Sequence, residues 1–380
     1  MRIFSLFDVA EGFRAARIFA GRAFSFRSGS PFSPPFLRRA LFAAFLWTPA
    51  PVLAGQTVTV DGDVSGNVWG NGDGNPPHDS STNLLDTDNN TVIVNSGTIS
   101  LGARGAYKAG GFYPIVASGN TVIINGGTVN QDVEGACVLT GTSSATGTGN
   151  TVTIFGGTMG RSVIGAHVTS QSIDDSSTAT SNTVTISGGT VNQDVVGGYA
   201  YNGQFGAATA TGNTVTISGG TLGHNVIGGY AYSYRSSTAT ATGNTVTISG
   251  GTVVGDVFGG YAYGSNINTA TVMGNIVAIA TTGETYANLY GGAITGGGTG
   301  DAFTDNELNL AAGNTITSAQ NFNTVNFTSA GDAGIATLDA TATGAAGNPL
   351  VTLNTDAYNV GMAGAIIGTG GIDKTGAGTL

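Results

Sequence analysis

Three scarcities bound what this chain can be: cysteine, charge and basic side chains. One cysteine, Cys137, occurs in 380 residues, so an intrachain disulfide is excluded. Only 9% of residues are charged, and 12 Lys and Arg stand against 22 Asp and Glu. Seven of the basic residues fall in residues 1–54, which leaves 55–380 at a net charge of −15. Binding nucleic acid takes a basic stripe that neutralises phosphates, so an acidic body argues against that partner. The acidity reads instead as solubility and weak self-association. Helix formers are also scarce, while Thr, Ser, Asn, Val and 64 Gly suit strands and turns.

What the chain has is repetition. The stretch Asn182–Tyr199, N-T-V-T-I-S-G-G-T-V-N-Q-D-V-V-G-G-Y, returns almost unchanged from Asn213 and Asn244. Looser copies begin at Asn90, Asn120 and Asn150, and degenerate ones at Asn275 and Asn306. Internal offsets stay fixed. Thirteen residues after each of the first six Asn come Ala103, Val133, Val163, Val195, Val226 and Val257; fifteen after comes Gly, from Gly105 to Gly259. Length varies only before the next Asn. A period of about 31 with constant offsets marks a stacked coil with loops on one edge.

Within a coil, T-V-T-I-S alternates, placing Val184 and Ile186 on one face, and Gly188-Gly189 supplies a corner. A second short strand ends at another Gly pair. One coil cannot bury enough apolar surface alone, but stacking makes Val/Ile columns. The reading is an all-β parallel solenoid, with eight or nine coils spanning roughly 40 Å at the strand spacing. A propeller is the alternative, but its blades run to ~40–45 residues. Segments 140–149, 170–181, 202–212, 233–243 and 264–274 form either a third side or protruding loops. Regular repeats occupy 55–300, and 301–380 continues the solenoid less regularly.

Arg38-Arg39, the apolar run Ala40–Trp47 and Thr48–Ala54 read as a secretory signal peptide with an extended n-region, cut after Ala54. The apolar run is too short to span a bilayer. The end of the chain, Gly370-Gly-Ile-Asp-Lys-Thr-Gly-Ala-Gly-Thr-Leu380, resembles the opening of the passenger-associated repeat of autotransporters, the type V secreted proteins. The resemblance covers eleven residues. It implies a right-handed parallel β-helix, displayed at or released from the surface of a Gram-negative bacterium. The family's outer-membrane translocator barrel is not found up to Leu380, so that barrel is the implied partner and the chain is expected to be a fragment or truncated product.

No catalytic constellation is expected. There is no G-x-S-x-G, and Gly331-Asp-Ala-Gly334 has Ala where secreted serine proteases carry a nucleophile. His78, His167 and His224 are scattered, only His78 having a carboxylate beside it in sequence, Asp79. No cofactor is expected, and no metal: Asn71–Asn75 and Asp86–Asn90 begin like calcium loops but lack the Gly and Glu that complete them. Cys137 and His167 occupy a position held elsewhere by Tyr107, Tyr199, Tyr230 and Tyr261, where the cysteine reads as filler. A polar row, Asp132, Ser162, Asp194, Asn225 and Asp256, reads as a solvent-facing ladder. The candidate ligand-facing residues are Tyr199, Tyr201, Tyr230, Tyr232, Tyr261 and Tyr263, either a binding surface or the lid of the core. The expected function is non-enzymatic: a stalk or adhesin attaching to a host surface, a matrix or a glycan. The alternatives are a secreted β-helical polysaccharide hydrolase or lyase, recognised by carboxylates and a base converging within ~5–9 Å, and a purely structural passenger.

Overall fold

The computed structural model describes residues 55–71, 87–235, 237–264, 269–347 and 349–380. The signal peptide assigned to 1–54, the calcium-like motif Asn71–Asn75 beyond Asn71, and His78 lie outside them. Of the second such motif, Asp86–Asn90, residues 87–90 are described: Asp88 Oδ1 accepts from the backbone N–H and hydroxyl of Ser118, and Asn90 is buried. Among the described residues there is no helix, and every strand pairing is parallel. Strands stack as about nine coils of ~31 residues, a β-solenoid, and the antiparallel blades of a propeller are absent from the described residues.

The coil starting at Asn182 shows why. Thr183–Ile186 pairs with Thr151–Ile154 before it and Thr214–Leu222 after it, Val on Val and Ile on Ile. Gly189 then turns the corner at φ +81°, a left-handed conformation that costs a side-chain-bearing residue about 1–2 kcal/mol. After Thr190–Val191, the strand Val195–Asn202 joins the second sheet, in which Val195, Val226, Val257 and Leu289 are successive steps of one column. The variable segments resolve into a third sheet, seven short strands from Ile115–Ser118 to Thr299–Asp301, with loops on either side.

Two apolar compartments run along the interior. One holds the Val and Ile columns of the first sheet and the start of the second, among them Val184, Ile186 and Val195. The other is built almost wholly from alanine, such as Ala200, Ala208 and Ala210. Burying each Val or Ile is worth about 1.5–3 kcal/mol, so the first compartment carries most of the stability.

Between the compartments stands the coil-opening asparagine, a residue usually found in exposed turns. Asn90, Asn120, Asn150, Asn182, Asn213, Asn244, Asn275 and Asn306 are all buried. The Asn182 backbone N–H and side-chain Nδ2 both donate to Asn213 Oδ1, at 3.0 and 2.9 Å, and Nδ2 also donates to the Gly147 carbonyl at 3.1 Å. Every step from Asn90 to Asn306 repeats the pattern of two donations to the next Oδ1. The amide is thus satisfied without water, as burial demands. This asparagine column is therefore interior and takes no part in any outer surface.

The glycine fifteen residues on is required for packing rather than for its φ. A Cβ at Gly228 would overlap the carbonyl oxygen of Gly259 and come within 3.0 Å of Asn244 Cβ. Asparagine and glycine together pinch the coil.

Past residue 301 the coils become unequal. Asn326 sits 17 residues beyond its neighbour Asn309, and Asn354 sits 28 beyond Asn326, each donating along an outward amide row. The resembling motif at the end belongs to the same sheet: Gly371–Thr375 pairs with Leu350–Asn354.

Candidate functional site

The second sheet places most of the distinctive side chains on its outer face. In Val195–Asn202, Val195 points into the first compartment and Ala200 into the second, while Val196 and Tyr199 pack together outside. The pair Gly197-Gly198 resets the alternation, and the register skips Gly197 there. Two neighbouring outer columns follow. One runs Trp69, Arg104, Glu134, Ile164, Val196, Ile227, Phe258, Tyr290. The other runs Tyr107, Cys137, His167, Tyr199, Tyr230, Tyr261. A third, two residues further, holds Tyr201, Tyr232 and Tyr263.

All six candidate tyrosines therefore lie on one face, each half-buried. They form two rows of different kinds. Tyr199, Tyr230 and Tyr261 meet edge to face, with centroids 5.0 and 4.8 Å apart, and cover Val196, Ile227 and Phe258. Burial raises the phenol pKa of Tyr199 and Tyr230 above the usual value, so these two stay neutral. The row is a lid. Tyr201, Tyr232 and Tyr263 stack on one another at 4.9 and 4.3 Å, the second pair nearly parallel at 3°. Their faces are used by one another, and each ring stays partly exposed. Close by, the exposed rings of Phe205 and Tyr234 flank Arg235, whose guanidinium lies 5.9 and 5.8 Å from their centroids.

At the other end of the face the columns change character. Glu134, only 1% exposed, accepts a hydrogen bond from Arg104 Nε on one oxygen. Its other oxygen lies 2.8 Å from His167 Nδ1. Burial opposes the carboxylate charge, but Arg104 and His167 outweigh it and pull the Glu134 pKa down to about 2. Cys137 is buried beside them, and burial pushes its thiol pKa up. Trp69 opens the column that also holds Phe258 and stacks on Tyr107 at 4.6 Å.

No family model, curated protein or solved structure matches the chain.

The functional reading therefore rests on geometry. The carboxylate–base proximity that would mark a hydrolase is met in part, since Glu134 and His167 touch. Both Glu134 oxygens are engaged inside the protein, however, and glycoside hydrolysis generally uses a pair of carboxylates facing the substrate. His167 has no carboxylate beside it in sequence, but Glu134, 33 residues back, comes alongside it in the structure. His224 likewise pairs with Asp194. Both pairs join adjacent coils, so sequence proximity missed them; comparing nearby offsets in adjacent coils, 14 against 17 for Glu134 and His167 and 12 against 11 for Asp194 and His224, would have found them. The polar row is a ladder, as read: Asp194 Oδ1 accepts from Asn225 N at 3.1 Å and Asn225 Oδ1 from Asp256 N at 3.0 Å.

Proposed function

We propose that the chain is the β-helical passenger of an autotransporter-like exported protein, and that it acts as a stalk and adhesin without chemistry of its own. The observation that carries this reading is the outer face of the second sheet. There, a continuous aromatic strip repeats at the coil spacing on a solenoid, a form suited to extended, repetitive partners. A glycan is the partner class that fits. The hydroxyl row of Tyr201, Tyr232 and Tyr263 offers hydrogen bonds at regular intervals, and the exposed rings of Phe205 and Tyr234 offer faces on which a sugar can stack. The passenger assignment is supported by the Gly370–Leu380 motif and by a β-solenoid in which the sole cysteine is buried and free.

The test is binding of the full chain to a panel of surface and matrix glycans. Tyr232→Phe removes one hydroxyl and Tyr234→Ala one exposed ring; each is expected to weaken binding at least tenfold while leaving the fold intact by circular dichroism. Binding insensitive to both substitutions, or to every glycan tried, overturns the adhesin reading. Transport is checked separately. Fused ahead of an outer-membrane barrel, the chain should become protease-accessible on intact cells, and retention in the periplasm overturns the passenger reading.

A further inference from the structure

Two adjacent coils break the column pattern at three places, and the three side chains meet. At the outer position filled elsewhere by Ile164, Val196, Ile227 and Phe258 stands Glu134; at the tyrosine position stand Cys137 and His167. The Cys137 sulfur, a His167 ring nitrogen and a Glu134 oxygen all lie within 4.8 Å of one another. We infer that Cys137, His167 and Glu134 form a site for one zinc-class divalent cation, with the fourth position open to water.

The donor set suits that class. A thiolate, an imidazole and a carboxylate form a borderline-soft trio that favours zinc over calcium or magnesium, which take oxygen. Thiolate and carboxylate offset the dication and the imidazole ligates neutral, so the cluster, counting the Arg104 guanidinium, carries +1, which favours ionisation of the bound water. At zinc bond lengths a tetrahedral centre holds its nitrogen and oxygen donors about 3.4 Å apart. The 2.8 Å His167–Glu134 contact therefore opens by roughly half an ångström as the ion takes the place of the shared proton. The proton on Nδ1 moves to Nε2, which faces Thr169 Oγ1 at 3.5 Å, and the thiol proton leaves to solvent.

Arg104 holds the carboxylate oxygen on the other side and fixes its direction, the task of an outer partner at metal sites. Depth and access also fit. Glu134 and Cys137 are buried, whereas the His167 side chain is 29% exposed and gives the ion its entry. Folding alone does not call for this cluster. The coils from Asn182 onward use aliphatic and aromatic residues at the same positions, and exchanging a buried ion pair such as Arg104–Glu134 for apolar packing is often neutral or stabilising. The ion would clamp two consecutive coils, Glu134 and Cys137 on one and His167 on the next.

The test uses the full chain, stripped with a chelator and titrated with cobalt(II). A sulfur-to-cobalt charge-transfer band saturating at one ion per chain is expected, with zinc displacing the cobalt and raising the melting temperature. Cys137→Ser should abolish the band. His167→Tyr, which installs the residue the column carries elsewhere, should keep the parent circular dichroism and weaken binding at least tenfold. A folded chain showing no charge-transfer band, or a band that survives Cys137→Ser, overturns the site. Neither result bears on glycan binding by the tyrosine rows.

Discussion

Asn213 shows how much one side chain can do in a stacked fold. Its Oδ1 accepts from the Asn182 backbone and side chain, and its Nδ2 donates to Ala179 O and Asn244 Oδ1 at 3.0 Å each. Asn213→Ala leaves the Asn182 N–H and the Ala179 carbonyl without these partners inside a dry coil, at about 1–3 kcal/mol each. The expected outcome is a loss of about 3 kcal/mol or more in unfolding free energy, read by denaturant titration. The ladder was only half legible in the sequence. The invariance of the coil-opening Asn was plain, but its burial was not, since asparagine ordinarily marks an exposed turn. Asp301 gives a second residue-scale outcome. Burial works against its charge, yet hydrogen bonds from the Thr304 hydroxyl and the Thr304 and Phe303 backbone hold its pKa below the ordinary carboxylate value. A depressed folded pKa stabilises fully above the unfolded value, and that contribution disappears as pH falls through the folded one. The melting-temperature gap between the parent chain and Asp301→Asn should therefore be constant near neutrality and close below the usual carboxylate range.

Strands and loops in this fold answer differently to a change of length. One glycine inserted between Val184 and Thr185 flips the alternation of Thr183–Ile186, turning Ile186 out of the core and a polar neighbour in. Losing the Ile186 burial costs about 1.5–3 kcal/mol before the polar residue is counted. The same glycine after Asp174 enters the loop between the second and third sheets, where coil length already varies, and should leave the melting temperature nearly unchanged. Thermal melts of the two variants make the comparison, and equal losses would contradict the register described here. The first two sheets were legible because β-branched alternation and fixed offsets both announce them. The third was ambiguous because its strands, such as Ala208–Thr211, alternate only alanine and threonine. Its inner face is so small that it carries little hydrophobic signal, and only the neighbouring coils define it as a sheet. Arg104, Glu134 and His167 escaped for a related reason: each looks isolated along the chain, and their meeting is a property of columns.

At the scale of the whole molecule, each coil contacts chiefly the coil above and the coil below, so stability should be close to a sum of coil and interface contributions. Removing residues 213–243 tests this directly, because it excises one full coil and joins Gly212 to Asn244. The new neighbours are already matched: Asn182 meets Asn244, Thr183 meets Thr245, Val195 meets Val257 and Tyr199 meets Tyr261, each pair identical in type. Every ladder then closes over the gap, with the stack shorter by one strand spacing of about 4.8 Å. The shortened chain should keep its β-sheet circular dichroism and melt within a few degrees of the parent. Removing 213–228 instead deletes the first-sheet strand Thr214–Leu222, joins the end of the third-sheet strand Ala208–Thr211 to the middle of the second-sheet strand Val226–Ser233, and should leave the chain unfolded or aggregated. If the full-coil deletion also failed to fold, stability would have to reside in contacts reaching beyond nearest neighbours, and the columns could not be what holds the solenoid together.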